Sequence, residues 1–197
     1  VGAPAFLATA THSSWFSMFN PGNSNESIFE IQYNYEENQT NNLPKLFDNE
    51  HADGIYRISR VLTQTFNSEY SATLYEMKEA VRSMYGGYFV GPDATIFESA
   101  TVSYVWKYLG SQTLSDKRTA SYYDPNFIIY RVADVMLMKA EALILRAHGE
   151  NIDDKVEAMK LINEIRTRSN LEIEVEATAE AVEPLDEEAM LQKVLYE

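Results

Sequence analysis

Apolar positions recur along this chain at different periods, and each period predicts a different element. Over residues 3–19, Phe6, Leu7, Ala10, Ser14 and Met18 fall near one side of a helix. Asn20-Pro21-Gly22-Asn23 stops it, because proline and glycine punctuate helices. From Ile28 to Tyr35 the pattern alternates, which puts Phe29, Ile31, Tyr33 and Tyr35 on one face of a strand. Residues 36–54 are polar, with Asn38, Asn41 and Asn42, and read as loop. Ile55, Ile58, Val61 and Leu62 predict a short helix. Leu74, Met77, Val81 and Met84 predict another, ended by Gly86-Gly87. Residues 88–125 are irregular, with Gly91-Pro92, Gly110 and Asp124-Pro125, and Val102 to Leu109 is a candidate strand.

Residues 126–148 give the clearest helix. Ala133, Leu137, Ala140, Ile144 and Ala147 form one stripe, and Val135, Met136, Met138, Leu143 and Leu145 cover much of the rest. A helix apolar nearly all round is expected between neighbours. Gly149 is placed to cap its end. Asp153 or Asp154 can cap the next helix, whose stripe is Val156, Met159, Ile162 and Ile165, with Ala158 and Leu161 beside it. Arg166 and Arg168 stand at its end, where cations suit the helix dipole. The two helices read as an antiparallel hairpin close to one tetratricopeptide-like repeat, crossing at Ala142 and Ala158. Glu172, Glu174, Glu176, Glu180 and Glu183 mark a solvated acidic loop. From Leu185 a last helix begins, with Asp186, Glu187 and Glu188 in its first turn and an apolar face that includes Leu191 and Leu195.

Composition narrows the function. The 197 residues carry 16 Lys and Arg against 30 Asp and Glu, a net charge of −14. That balance argues against nucleic acid as a partner, since phosphate binding needs clustered cations. No apolar run approaches the roughly 20 residues that span a bilayer. With no cysteine there is no disulfide, thiolate metal site or cysteine nucleophile. Of the 13 Tyr, 9 Phe and 2 Trp, the Tyr exceed what a core needs, because each buried hydroxyl requires a partner; excess Tyr suits a binding surface, although rings packed between helices fit as well.

Candidate chemistry is sparse. His12, His51 and His148 lack metal-ligand spacing, so no metal is expected. Asn49, His51, Asp53 and Gly54 imitate the start of a calcium loop, but Arg60 stands where a bidentate Glu is required. Gly86, Gly87 and Gly91 are followed by no Lys-Ser or Lys-Thr, so a phosphate cradle is unsupported. Acid pairs abound in an acidic protein and single out no glycosidase site. No GxSxG is present. Asn25-Glu26-Ser27 and Asn38-Gln39-Thr40 are glycosylation sequons, relevant only where a source glycosylates secreted proteins. Tyr85-Gly86-Gly87-Tyr88-Phe89 places rings on a sharply turning backbone, the usual way to hold a sugar face or a peptide side chain, although packed tyrosines fit it as well.

Several segments together carry a resemblance. Tyr130-Arg131-Val132-Ala133-Asp134-Val135-Met136-Leu137-Met138-Lys139-Ala140-Glu141-Ala142-Leu143 resembles the signature of the SusD/RagB family, approximately R-x-A-D-V-x-L-M-x-A-E-A. Asn163-Glu164-Ile165-Arg166-Thr167-Arg168 is similar to its N-E-[VI]-R-x-R. Asn23 to Gln32 resembles its N-x-E-x-I-F-x-I segment, Trp106-Lys107-Tyr108 its K-Y element, and Leu185 to Glu197 the opening of its next helix. Glu79-Ala80-Val81-Arg82 is a loose version of its D-x-R segment. Asp134 and Glu141 on an apolar helix call for partners, with Arg131, Arg166 and Arg168 as candidates, and read as structural clamps rather than catalysts.

The resemblance implies a mainly α fold: a SusD-like scaffold with tetratricopeptide-like helical hairpins and an irregular ligand-binding portion with little β. Residues 1–125 are expected to form that ligand-binding portion. Residues 126–197 are expected to form the hairpin and the start of the next helix of the same domain. It also implies a non-enzymatic, cofactor-free protein on the outer face of the outer membrane in Bacteroidetes-type bacteria. Such a protein captures glycans or peptides and partners a SusC-like TonB-dependent transporter. Val1-Gly2-Ala3-Pro4 reads as an internal cut, so the lipid-bearing cysteine is expected in a preceding part. The ligand contacts expected on chemical grounds are Tyr85, Tyr88, Tyr35 and Asn34, with Trp106 assigned to the core. The rival readings are a helical protein-interaction scaffold and a glycan-active hydrolase fragment.

Overall fold

Two amphipathic helices and a short β-ribbon organise the molecule. The structure, a computed structural model, describes residues 3–6, 16–19, 22–47, 106–110, 124–169 and 171–197. In chain order the described elements are β1 (Ser27–Ile31), a 3-10 turn (Tyr35–Glu37), α1 (Leu43–Phe47) and α2 (Trp106–Leu109). They continue with β2 (Phe127–Arg131), α3 (Val132–Ala147), α4 (Ile152–Arg168), α5 (Ala179–Val182) and α6 (Glu187–Tyr196). The described fold is mainly helical, as expected. β1 and β2 pair antiparallel in a two-stranded sheet.

α3 and α4 pack as the predicted antiparallel hairpin, and α5 and α6 close its open side. The core between them is Ala140, Leu143, Ile144, Ala158, Met159, Ile162, Val182 and Met190. Each fully buried Ile or Met here contributes about 1.5–3 kcal/mol of transfer free energy. The close approach uses Ala140 and Ala158, both wholly buried. Ala142 is exposed, so the crossing expected there lies half a turn away. His148 and Gly149 both take left-handed backbone after α3, at φ 48° and 76°. Asn151, not Asp153 or Asp154, caps α4: its Oδ1 accepts the amides of Asp153 at 3.1 Å and Asp154 at 3.3 Å. Asp154 instead takes both guanidinium arms of Arg146 from the end of α3.

Several expectations shift. Of the helix expected over residues 3–19, residues 3–6 are not helical, and the Ala5 amide donates to the Asn25 carbonyl at 2.8 Å; Phe16 and Ser17 are helical, and residues 7–15 lie outside the described residues. The helix expected from residue 126 starts only at Val132, because its first residues pair with β1. β1 ends at Ile31, and Tyr35 belongs to the 3-10 turn rather than to a strand face. The loop expected at 36–54 includes that turn and α1. The strand considered at 102–109 ends instead in α2. α3 is apolar nearly all round, yet Val135, Met138 and Leu145 are exposed, because α4 and α6 cover only one side. The helices predicted near 55–62 and 74–84 lie outside the described residues.

The acidic stretch after α4 is solvated in its side chains but anchored through its backbone. Asn163 Nδ2 donates to the Val175 carbonyl at 2.9 Å, and Arg166 Nε to that of Glu172 at 2.9 Å. The buried Lys155 ammonium donates to the carbonyls of Glu183 and Leu185, in the link between α5 and α6, and so ties that link to α4.

Candidate ligand-facing turn and the polar knots that hold it

Asn34 and Tyr35 occupy one turn just beyond β1. Asn34 and Gln39 exchange backbone hydrogen bonds of 3.0 and 2.9 Å, closing residues 34–39 into a loop. Asn38 takes left-handed backbone at φ 57°, and its amide donates to the Tyr35 carbonyl at 3.0 Å. The Asn34 Oδ1 accepts the Glu36 amide at 2.9 Å. That bond commits Oδ1 to the turn and leaves Nδ2 as the group able to serve a ligand. Tyr35 is 37% exposed, with the exposed carboxylates of Glu36 and Glu37 after it. The structure therefore brings two expected contacts together. Tyr85 and Tyr88 lie outside the described residues, as do His12, His51 and the calcium-like stretch at 49–54.

Two polar knots fix this turn to the hairpin, and the sequence reading missed both. In the first, Glu26 is fully buried just before β1. Both its carboxylate oxygens accept from Arg168 Nη1, at 2.7 and 2.6 Å, across 142 positions of sequence. Arg131 Nη1 stands 3.7 Å away. The Phe6 ring lies 4.4 Å from the Arg168 guanidinium carbon, in cation–π contact. The Glu26 carbonyl accepts the Val132 amide at 2.9 Å, at the start of α3. Asp134 accepts the Arg131 amide at 3.0 Å and stands 3.5 Å from its Nε. Of the two signature acids, Asp134 thus clamps locally to Arg131, while Glu141 is exposed.

The second knot is amide-rich. Buried Asn126 donates from Nδ2 to Glu30 Oε2 at 2.8 Å and Gln32 Oε1 at 3.1 Å, and its Oδ1 accepts the Tyr33 amide at 3.2 Å. Asn23 joins from the other side: its amide donates to both Glu30 oxygens, and it exchanges side-chain bonds of 2.9 and 2.7 Å with Gln32. A Cβ at Gly22 would lie 2.7 Å from Asn126 Nδ2, so the chain closes over this knot only with glycine there, at φ 87°.

Nearby, α1 and α2 meet through Phe47 and Tyr108, stacked at 5.6 Å. Burial pushes the Tyr108 phenol above its ordinary pKa. Burial, assisted by the Arg131 charge, pulls Lys107 below its own, with the ammonium 5.1 Å from the Tyr108 ring. Among the described residues no group of three His, Asp or Glu is placed to hold a metal. No described helix is long and apolar enough to cross a membrane.

The model of the SusD family matches residues 60–197. This chain belongs to the SusD family. No curated protein and no solved structure matches it. Membership implies a glycan- or nutrient-binding surface protein that works with a transporter. SusD-family proteins are binders rather than enzymes and are generally associated with the outer membrane. The matched span contains Tyr85, Tyr88 and the whole hairpin, and begins after the Asn34–Tyr35 turn.

Proposed function

We propose that this protein captures glycans, or peptides, at the extracellular face of the outer membrane and delivers them to a SusC-like TonB-dependent transporter. A lipid anchor preceding the present residues holds it there. The family match over 60–197 carries the reading. Residues 1–125 supply the ligand-binding portion and 126–197 the helical support of the same domain. Tyr35, Tyr85 and Tyr88 offer ring faces and Asn34 an amide. Such stacking adds about 0.5–1.5 kcal/mol per ring beyond area burial, and the amide fixes orientation. An exposed Tyr on a hydrogen-bonded turn supports this assignment. Capture followed by release to a transporter needs no covalent step, so no residue is assigned a catalytic role.

Calorimetric titration against neutral and acidic oligosaccharides and peptides tests the reading. One ligand class is expected to bind, and Tyr35→Ala, Tyr85→Ala and Tyr88→Ala each to weaken it several-fold. A folded chain that binds no member of the panel defeats it. A second reading, a helical protein-interaction scaffold, is favoured by the exposed Val135, Met138 and Leu145 on α3. It predicts capture of a protein partner that is lost when these three become polar, with no small-ligand binding.

A further inference from the structure

Neither strand of the sheet holds a buried residue. Ile28, Phe29 and Ile31 are 45%, 56% and 41% exposed. Strand register is ordinarily enforced by the buried face, because a slip of one residue turns every side chain over. Here that force is weak, and the ladder records it. Ser27 pairs with Arg131, Phe29 with Tyr130, Glu30 with Ile128 and Ile31 with Phe127. From Ser27 to Phe29, β1 advances two residues while β2 retreats one; from Phe29 to Glu30, β1 advances one while β2 retreats two. The middle pair thus sits one residue out of the register that both ends share. That offset is a local bulge, and with no buried residue on either strand something other than burial must hold the two ends in their shared register.

The polar knots stand at those ends. Glu26, locked to Arg168, precedes the Ser27–Arg131 pair. Asn126 precedes Phe127 and contacts Glu30, Gln32 and the Tyr33 amide. Tyr33 is the residue immediately before the Asn34–Tyr35 turn. We propose that Asn126 is the positioning residue of that turn: it locks the outgoing end of β1 in register and so sets where Asn34 and Tyr35 stand relative to the hairpin. The ligand side of this statement rests on the capture reading above; the register side does not.

The chain has no cysteine, so introduced pairs report cleanly. Ile31→Cys with Phe127→Cys bridges the observed register. Ile31→Cys with Ile128→Cys bridges the register one residue out. In the otherwise unchanged protein, oxidation is expected to link the first pair in preference. Asn126→Ala is expected to shift that preference about tenfold toward the second pair and to weaken ligand binding about as much, the size of a lost set of buried hydrogen bonds. Glu30→Ala, which removes one of the Asn126 ties together with the Asn23 amide bonds but leaves Asn126 its bonds to Gln32 and Tyr33, is expected to shift it in the same direction, and decides the matter if Asn126→Ala does not fold. A merely structural role would lower the melting temperature without changing which pair links. An unchanged preference in a folded variant overturns the proposal. A changed preference with unchanged binding overturns the role of Asn126 in placing a ligand contact. A protein that binds nothing on the panel, but whose register moves, defeats the capture reading and leaves the register lock standing.

Discussion

Arg168 is the residue on which the tertiary arrangement turns. It ends α4, is 3% exposed, and meets a carboxylate that is fully buried. Taking both charges out of water is costly, and their mutual attraction offsets that cost only while both are present. Arg168→Met removes both short bonds to the buried Glu26 carboxylate and leaves it the longer contact with Arg131 at 3.7 Å, so it is expected to lower unfolding free energy by about 3 kcal/mol in urea denaturation. Adding Glu26→Leu to the same chain is expected to recover much of the loss, because the apolar pair removes the desolvation cost as well as the attraction. A single variant as stable as the parent would show that the pair holds nothing. Arg166 and Arg168 are expected from sequence to complement the helix dipole or to pair with Asp134 or Glu141; the structure buries them and pairs Arg168 with Glu26 and Arg166 with Glu174 and Glu197 instead.

At its turn the α3–α4 hairpin is joined by an ion pair as well as by core. The two hydrogen bonds from the Arg146 guanidinium, with its charge, hold the Asp154 carboxyl below its ordinary value of 3.8. A depressed folded-state pKa means that the native state binds its proton later than the unfolded chain does. The contribution is thus fully present above about 3.8 and is lost as pH falls below it, through the lowered pKa. Thermal melts over that acid window are expected to fall less steeply for Asp154→Asn than for the parent. Equal slopes would show that this pair does not couple to folding. The same helices were the most legible elements of the sequence. Their stripes at Ala140 and Ile144, and at Met159 and Ile162, span several turns, so periodicity averages over local exceptions. β1 was legible as a strand but not in its length, because Phe29 and Ile31 share a ribbon with no buried face. The short α1 and α2 left no pattern, since one helical turn carries too few positions to show a period.

At the scale of the whole molecule, charge dominates. Thirty acids against 16 bases repel one another in the compact state more than in the open chain. Salt screens that repulsion over a Debye length of about 8 Å at physiological ionic strength. The melting temperature is expected to rise between low salt and physiological salt. A fall would mean that pairs such as Lys193–Glu174, at 2.9 Å, outweigh the net repulsion. Acidity of this degree also bears on the proposed ligand surface, where Glu36 and Glu37 stand beside Tyr35.

The sequence by itself determined the mainly helical character, the hairpin and its stripes, and the family, whose longest motif lies on α3. It determined that Asn34 and Tyr35 are neighbours, which adjacency guarantees. Only the tertiary structure decided that Glu26 meets Arg168 and that Asn126 meets Glu30, Gln32 and Tyr33. The reason is physical. Periodicity reports a residue's side of its own element, averaged over neighbours in sequence. A buried ion pair or amide knot instead joins single residues about a hundred positions apart, and its partners carry no local mark of one another.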